Sequence, residues 1–170
     1  MKLEVKNLEK KFKNFTAVKN IDFHIDNGQT LGVLGPNGCG KTTTIGMLLG
    51  LIKPSNGKIL IDDENFENLN REKILSQFNF ASPYVELPKK LTVKENLEIY
   101  GRLYGVKDLT RRIQEVSDDL NLSIFLNKKT GELSSGQKNR VSLAKSLINN
   151  PKILFLDEPT ASLDPDIGDF

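Results

Sequence analysis

The run Gly35-Pro36-Asn37-Gly38-Cys39-Gly40-Lys41-Thr42 constrains this chain more than any other stretch. It satisfies the pattern G-x-x-x-x-G-K-[ST]. It also stands between an apolar segment, residues 30–34, that reads as a short strand and a helical run over residues 41–51. Glycines allow successive backbone N–H groups to turn inward, and the helix that follows adds the positive end of its dipole at the same spot. Such a cradle suits a triphosphate. Lys41 would neutralise the β and γ phosphates, Thr42 would ligate Mg²⁺, and Thr43 would donate to the α phosphate. A chance match in a chain of this length is on the order of 1% at background glycine frequencies. A merely structural glycine turn is therefore the weaker reading.

The rest of the chain supplies partners for that loop. Leu3, Val5 and Leu8 alternate with polar residues, as do Ile21, Phe23 and Ile25, so two half-buried strands are expected near the N-terminus. Further strands are expected at Ile59-Leu60-Ile61 and at residues 78–81, with a loop over residues 82–90. Apolar residues recur at helical spacing over residues 92–104, opened by the capping box Thr92-x-x-Glu95. A second helix spans residues 109–122, and a third is capped by Ser134 or Ser135 and stopped before Pro151. Ile153-Leu154-Phe155-Leu156 is a continuous apolar strand ending in Asp157-Glu158. Strands, phosphate loop, helices and a buried strand in this order describe an α/β chain with a helical insertion. Carboxylates at a strand's C-terminal end face the crevice where such folds bind ligands. Asp157 would hold Mg²⁺ and Glu158 would accept a hydrogen bond from the attacking water. A solvated strand end is the bland alternative.

With Leu133-Ser134-Ser135-Gly136-Gln137 at the start of the third helix, the motifs come in the order phosphate loop, pentapeptide, and Leu156-Asp157-Glu158-Pro159-Thr160-Ala161-Ser162-Leu163-Asp164-Pro165. In that order they resemble the ATP-binding cassette ATPases, and the resemblance covers essentially the whole chain. The pentapeptide is similar to the family signature, with Ser135 where glycine is usual. The resemblance implies a P-loop NTPase (RecA-like) α/β core with an N-terminal antiparallel β subdomain and an inserted helical subdomain. It implies one nucleotide-binding domain over residues 1–170. Residues 1–81 would be the first part of the ATP-binding core, 82–132 the loop and helical subdomain, and 133–170 the signature helix through the aspartate loop. ATP and Mg²⁺ would be the cofactors. Catalysis would rest on Lys41 and Glu158, metal binding on Thr42 and Asp157. Nucleotide contacts would come from residues 35–43: Gly35, Pro36, Asn37, Gly38, Cys39, Gly40, Lys41, Thr42 and Thr43. Phe12 would stack on adenine, unless it is a core aromatic of the N-terminal sheet. Ser134, Ser135, Gly136 and Gln137, with Asp164, would address ATP held by a second copy of the domain in a head-to-tail dimer. Asn127-Lys128-Lys129-Thr130 lacks the Asp of a GTPase base-recognition motif, which favours ATP over GTP.

Two departures from the family pattern stand out. The Gln expected before the helical insertion falls at Ser82 or Pro83, while Gln77 precedes the strand and is read as solvated. His24 is the single histidine, so no His follows the aspartate loop, and the strands that would carry it are missing. The expectation is a cassette incomplete at its C-terminus, with apolar strands left at exposed edges.

The leading function is ATP binding and hydrolysis as the energy-coupling subunit of a membrane transporter. A transmembrane permease would be the partner, met by residues 82–90 and the helix from Thr92. The alternatives are a nucleotide-binding, hydrolysis-deficient fragment and a soluble ATPase outside transport. Composition narrows the setting. The 170 residues carry 24 Lys plus Arg against 22 Asp plus Glu, a net charge of +2 that argues for neither nucleic acid nor a membrane surface. The longest apolar run, residues 45–52, is interrupted by Gly46 and Gly50 and is far short of the roughly 20 residues a membrane span needs. One cysteine, Cys39, permits no internal disulfide, and the alternating N-terminus lacks a signal peptide's apolar core. The expected place is the cytoplasm, at the inner face of the membrane through the permease, without direct insertion.

Overall fold

The computed structural model describes residues 1–82 and 86–158. Backbone contacts divide the chain into two compact units, Met1–Leu75 and Ser76–Phe170.

In the first unit, alternation produces an antiparallel sheet. β1 (Leu3–Phe12) pairs with β2 (Phe15–Ile25) on one side and with β3 (Asn56–Ile61) on the other, and β4 (Glu64–Asn65) closes the edge in the order β2-β1-β3-β4. Leu3 lies opposite Ile25 and Ile61, and Val5 opposite Phe23 and Ile59, so the apolar residues share one face. Leu3, Val5, Leu8, Ile59 and Ile61 are buried there. Met47 and Leu48, from the helix α1 (Lys41–Leu48), are buried within the same unit. A short helix α2 (Arg71–Leu75) ends the unit.

Residues 30–34 depart from expectation. They form no strand, and Leu31, Val33 and Leu34 are 43%, 52% and 95% exposed. A strand exists only by its ladder, and no described strand pairs with this segment, so an apolar sequence alone does not make it one. α1 also stops at Leu48, short of the expected Leu51, where Gly50 takes a left-handed turn.

The second unit holds β5 (Phe78–Ala81) and β6 (Ile153–Leu156), paired in parallel from Phe78 opposite Ile153 to Ala81 opposite Leu156. Three helices pack together: α3 (Val93–Leu103), α4 (Leu109–Asp119) and α5 (Ser135–Leu147). Val93, Leu97, Ile113, Val116, Val141, Ala144 and Ile148 form their shared core, each stabilising it by up to about 2 kcal/mol. The capping box expected from sequence, Thr92 with Glu95, is present on α3, and of the two candidate caps of α5 it is Ser134 that serves, in a capping box with Gln137. Among the described residues, no helix is long and apolar enough to cross a membrane.

Candidate functional site

In the first unit the phosphate loop leaves the segment 30–34, crosses residues 35–39 fully exposed, and enters α1 at Gly40. Gly38 and Gly40 adopt φ of +82° and +99°. At Gly40 a Cβ would stand 2.3 Å from the Ala17 carbonyl oxygen and 3.0 Å from Val18 Cγ2, so β2 itself bounds the loop. No side chain caps α1, whose first internal bond runs from Thr44 N–H to the Gly40 carbonyl at 2.8 Å. The amide end of the helix thus opens toward the loop, as an anion site requires. Lys41 Nζ donates to the carbonyls of Gly35 at 2.7 Å and Pro36 at 3.0 Å. The ammonium bridges the mouth of the loop through neutral acceptors, and a phosphate oxygen offers a stronger, charged one. Cys39 is exposed, with its N–H bonded to the Pro36 carbonyl at 3.3 Å. Thr42 is exposed and Thr43 half-buried in the first turn of α1. Phe12, at the end of β1, is 45% exposed, with Lys10 Nζ 4.8 Å from its ring centroid. It is no part of the sheet's buried core.

In the second unit Ser134 begins α5. Its Oγ accepts from Gln137 N–H at 3.3 Å, and Gln137 Oε1 accepts from Ser134 N–H at 3.0 Å. Two of the helix's amides are therefore satisfied internally, which narrows any anion contact to the Ser134 hydroxyl proton and the first-turn amides of Ser135 and Gly136. Ser135 is exposed, and a Cβ on Gly136 would meet nothing within 4 Å. That surface has room for a ligand.

Asp157 follows β6, is 7% exposed, and donates its N–H to the Ala81 carbonyl at 3.0 Å. The bond extends the β5–β6 ladder by one step and fixes the carboxylate's backbone. Glu158 is half-buried with φ of +50°. This left-handed backbone costs a non-glycine residue about 1 kcal/mol. Ser82, at the end of β5, is 6% exposed. Pro83, Asp164 and the segment Ser162-Leu163-Asp164 lie outside the described residues. Gln77 is half-buried ahead of β5, and its carbonyl accepts from Lys152 N–H at 2.7 Å. His24 sits exposed on β2 opposite Glu4.

The residues that anchor the loop before α3 gave no signal in the sequence. Asn96, 1% exposed, donates from Nδ2 to the carbonyls of Thr92 at 3.0 Å and Pro88 at 3.3 Å. Thr130 Oγ1 donates to the Pro88 carbonyl at 2.7 Å. The Thr130–Pro88 pair, 42 residues apart, has no periodicity to betray it.

Comparison with known proteins gives one consistent picture. A family model described as "ABC transporter" matches residues 18–161. The chain is 36% identical over 165 residues to the probable multidrug ABC transporter ATP-binding protein YbhF of Escherichia coli (strain K12), covering 96% of this chain and 28% of that protein. It is 37% identical over 164 residues to the spermidine/putrescine import ATP-binding protein PotA of Nitrosomonas eutropha, covering 95% and 45%. The chain thus spans less than half the length of these two curated relatives. Among solved structures, the dimeric post-hydrolysis state of the ATP-binding cassette MJ0796, bound to ADP and Pi, superposes with a TM-score of 0.82 at 30% identity, covering 96% of this chain and 77% of that one.

Proposed function

The chain belongs to the ABC transporter family of ATP-binding cassettes, and from that premise we propose that it binds and hydrolyses ATP to drive a membrane transporter. Its fold is that of the P-loop ATPase cassettes, α/β with an antiparallel β subdomain at the N-terminus. The observation that carries the functional reading is the phosphate loop itself, in which an uncapped helix N-terminus and the Lys41 ammonium converge on one exposed turn.

In this reading the backbone amides of residues 38–43 and Lys41 hold the β and γ phosphates, and Phe12 offers an exposed ring to the adenine. Each proposed Mg²⁺ donor suits the ion by its own chemistry: Asp157 in the second unit is a buried carboxylate with a tethered backbone, Thr42 in the first would supply a hydroxyl on α1, and both are hard oxygen ligands. When bound, the ion neutralises phosphate charge. Glu158 orients the attacking water and accepts its proton. The Ser134–Gln137 turn, with Ser135 and Gly136 on its open side, addresses the nucleotide of a second cassette, and Asp164 belongs to the same contact. Residues 1–81, 82–132 and 133–170 act as core, helical insertion and signature-to-aspartate segment of one nucleotide-binding domain.

Partners follow from the same reading. MJ0796 is dimeric in its solved state, and cbiO1 of Clostridium perfringens is part of a transporter complex. For this chain we propose a head-to-tail pair bound to a transmembrane permease at the inner face of the membrane. One relative is named for multidrug transport and another for polyamine import, at nearly equal identity, so the cargo is set by the permease.

The test is binding of a fluorescent ATP analogue by the purified chain. Lys41→Ala removes the charge that meets the phosphates and should weaken binding by about 100-fold, two or three kcal/mol for a charged hydrogen-bonding group. Unchanged affinity would sink the assignment.

A further inference from the structure

We propose that Lys145 is a positioning residue for Asp157, acting through β5 as the link between the helix that opens at Ser134 and the strand that holds the Asp157 backbone. This deepens the ATPase reading and rests on it for the role of Asp157.

The geometry lies in the alternate phases of one strand. Successive carbonyls of a strand point to opposite edges. Along β5, the carbonyls of Gln77 and Ala81 face β6 and accept from Lys152 N–H at 2.7 Å and Asp157 N–H at 3.0 Å. Those of Phe78 and Phe80 are in the other phase and face away from β6. They would form an unpaired edge, but side chains from α5 and the turn after it reach them. Asn149 Nδ2 donates to the Phe78 carbonyl at 3.3 Å and Lys145 Nζ to the Phe80 carbonyl at 3.5 Å. The carbonyl that holds Asp157 therefore sits one peptide beyond the carbonyl that Lys145 holds.

Lys145 is placed there at some energetic cost. It is half-buried, and burial pushes its pKa below the usual lysine range. The ammonium lies 5.2 Å from the centroid of the Tyr100 ring, a cation–π contact that offsets part of the lost hydration. Tyr100 in turn stacks on Tyr104, whose hydroxyl donates to Asn79 Oδ1 at 3.5 Å, so α3 and α5 grip the same edge of β5. An exposed lysine on α5 would avoid this desolvation. Its placement over the strand edge instead gives α5 a direct hold on the segment that ends at Ser82 and supports Asp157. Movement of α5 when the Ser134 turn meets a nucleotide would reach the metal carboxylate by this route.

Two substitutions separate the link from simple packing. Lys145→Met keeps the length and the contact with Tyr100 but removes the ammonium, whereas Lys145→Arg keeps charge and donors. In the nucleotide-free chain, amide hydrogen exchange at Asp157 should be about tenfold faster in Lys145→Met and close to the parent in Lys145→Arg. The Mg²⁺ concentration for half-maximal ATP hydrolysis should rise about fivefold in Lys145→Met while the KM for ATP stays within about twofold, the split expected of an outer partner to a metal ligand. Should Lys145→Met not fold, Lys145→Gln carries the same exchange measurement. Parental exchange at Asp157 in folded Lys145→Met, or equal loss in Lys145→Arg, would overturn the proposal. Absence of Mg²⁺-dependent hydrolysis in the parent would instead refute the ATPase reading, and the exchange result would still decide whether Lys145 holds the strand.

Discussion

Gly40 offers the sharpest quantitative test of how the phosphate loop is built, because Gly38 serves as its control two residues away. Both lie at positive φ, +99° and +82°. Alanine at either site must accept a left-handed backbone, at about 1–2 kcal/mol, partly offset by the reduced freedom of its unfolded chain. At Gly38 the added Cβ meets nothing within 4 Å, so Gly38→Ala should cost about 1 kcal/mol. At Gly40 the Cβ would meet the Ala17 carbonyl oxygen at 2.3 Å, and that contact must open to at least 3.0 Å. Ala17 is the extra residue at a register shift in β2, held between Thr16 and Val18, which pair with Lys11 and Lys10 of β1, and its backbone carbonyl has no rotamer with which to yield. Overpacking of this kind adds about 2 kcal/mol, bringing Gly40→Ala to about 3 kcal/mol. For a chain of this length each kcal/mol lowers Tm by about 2–4 °C, so the expected losses are about 2–4 °C for Gly38→Ala and about 6–12 °C for Gly40→Ala. Urea titration and thermal melting, followed by circular dichroism, measure both. Equal losses in the two variants would show that β2 does not bound the loop at Gly40, and the steric argument would fail.

Other consequences are open to direct measurement. Glu158→Gln should retain ATP binding within about twofold while lowering turnover by at least about 100-fold, since a general base contributes on that scale; normal hydrolysis in a steady-state phosphate-release assay would remove Glu158 from the chemistry. Thr130→Val breaks a 2.7 Å bond to the Pro88 carbonyl and should destabilise the fold by about 1 kcal/mol. Because Asn96 shares that carbonyl, a double-mutant cycle with Asn96→Ala should be non-additive by at least about 0.5 kcal/mol in urea titrations, and strict additivity would contradict a shared clamp. Hydrogen bonds from the Thr92 N–H and hydroxyl hold the Glu95 carboxyl below the usual glutamate range. A carboxyl with a depressed pKa stabilises fully above the pKa of its unfolded form and loses that contribution as pH falls through its own lower value. Thermal melts from neutral pH down through the carboxylate range should therefore decline more steeply for the parent than for Glu95→Gln, and parallel curves would dismiss the link.

How much of this was legible beforehand follows the range of each interaction. The capping box Thr92–Glu95 closes within one helical turn, so its residues announce it and the structure contains it, whereas the choice between Ser134 and Ser135 as the cap of α5 falls to Ser134 only in the structure, where Gln137 completes the box. Alternation in β1 and β2 placed Leu3, Val5 and Ile25 correctly because side-chain direction along a strand has a period of two. The same reasoning mistook residues 30–34, since apolar content favours a strand without supplying the neighbour that makes one. That Phe12 is no core aromatic of the sheet is a fact of burial, 45% exposure, which its place in the sequence does not carry.

The amino-acid sequence by itself determined which chemical groups stand together locally: a loop of glycines ending in Lys41 and Thr42, a helix start with serines at Ser134 and Ser135, and adjacent carboxylates at Asp157 and Glu158. These are local, because the spacing of a few residues places a charge, an amide or a hydroxyl within one turn of backbone. Tertiary structure decided which of those groups are held and by what. β2 closes on Gly40 through the Ala17 carbonyl, Asn96 and Thr130 seize the Pro88 carbonyl, and β5 fastens Asp157 on one edge while Lys145 covers the other. The Thr130–Pro88, Asp157–Ala81 and Lys145–Phe80 bonds join residues far apart in the chain, where the cost of loop closure is met by many cooperating contacts and no repeating pattern records the pairing.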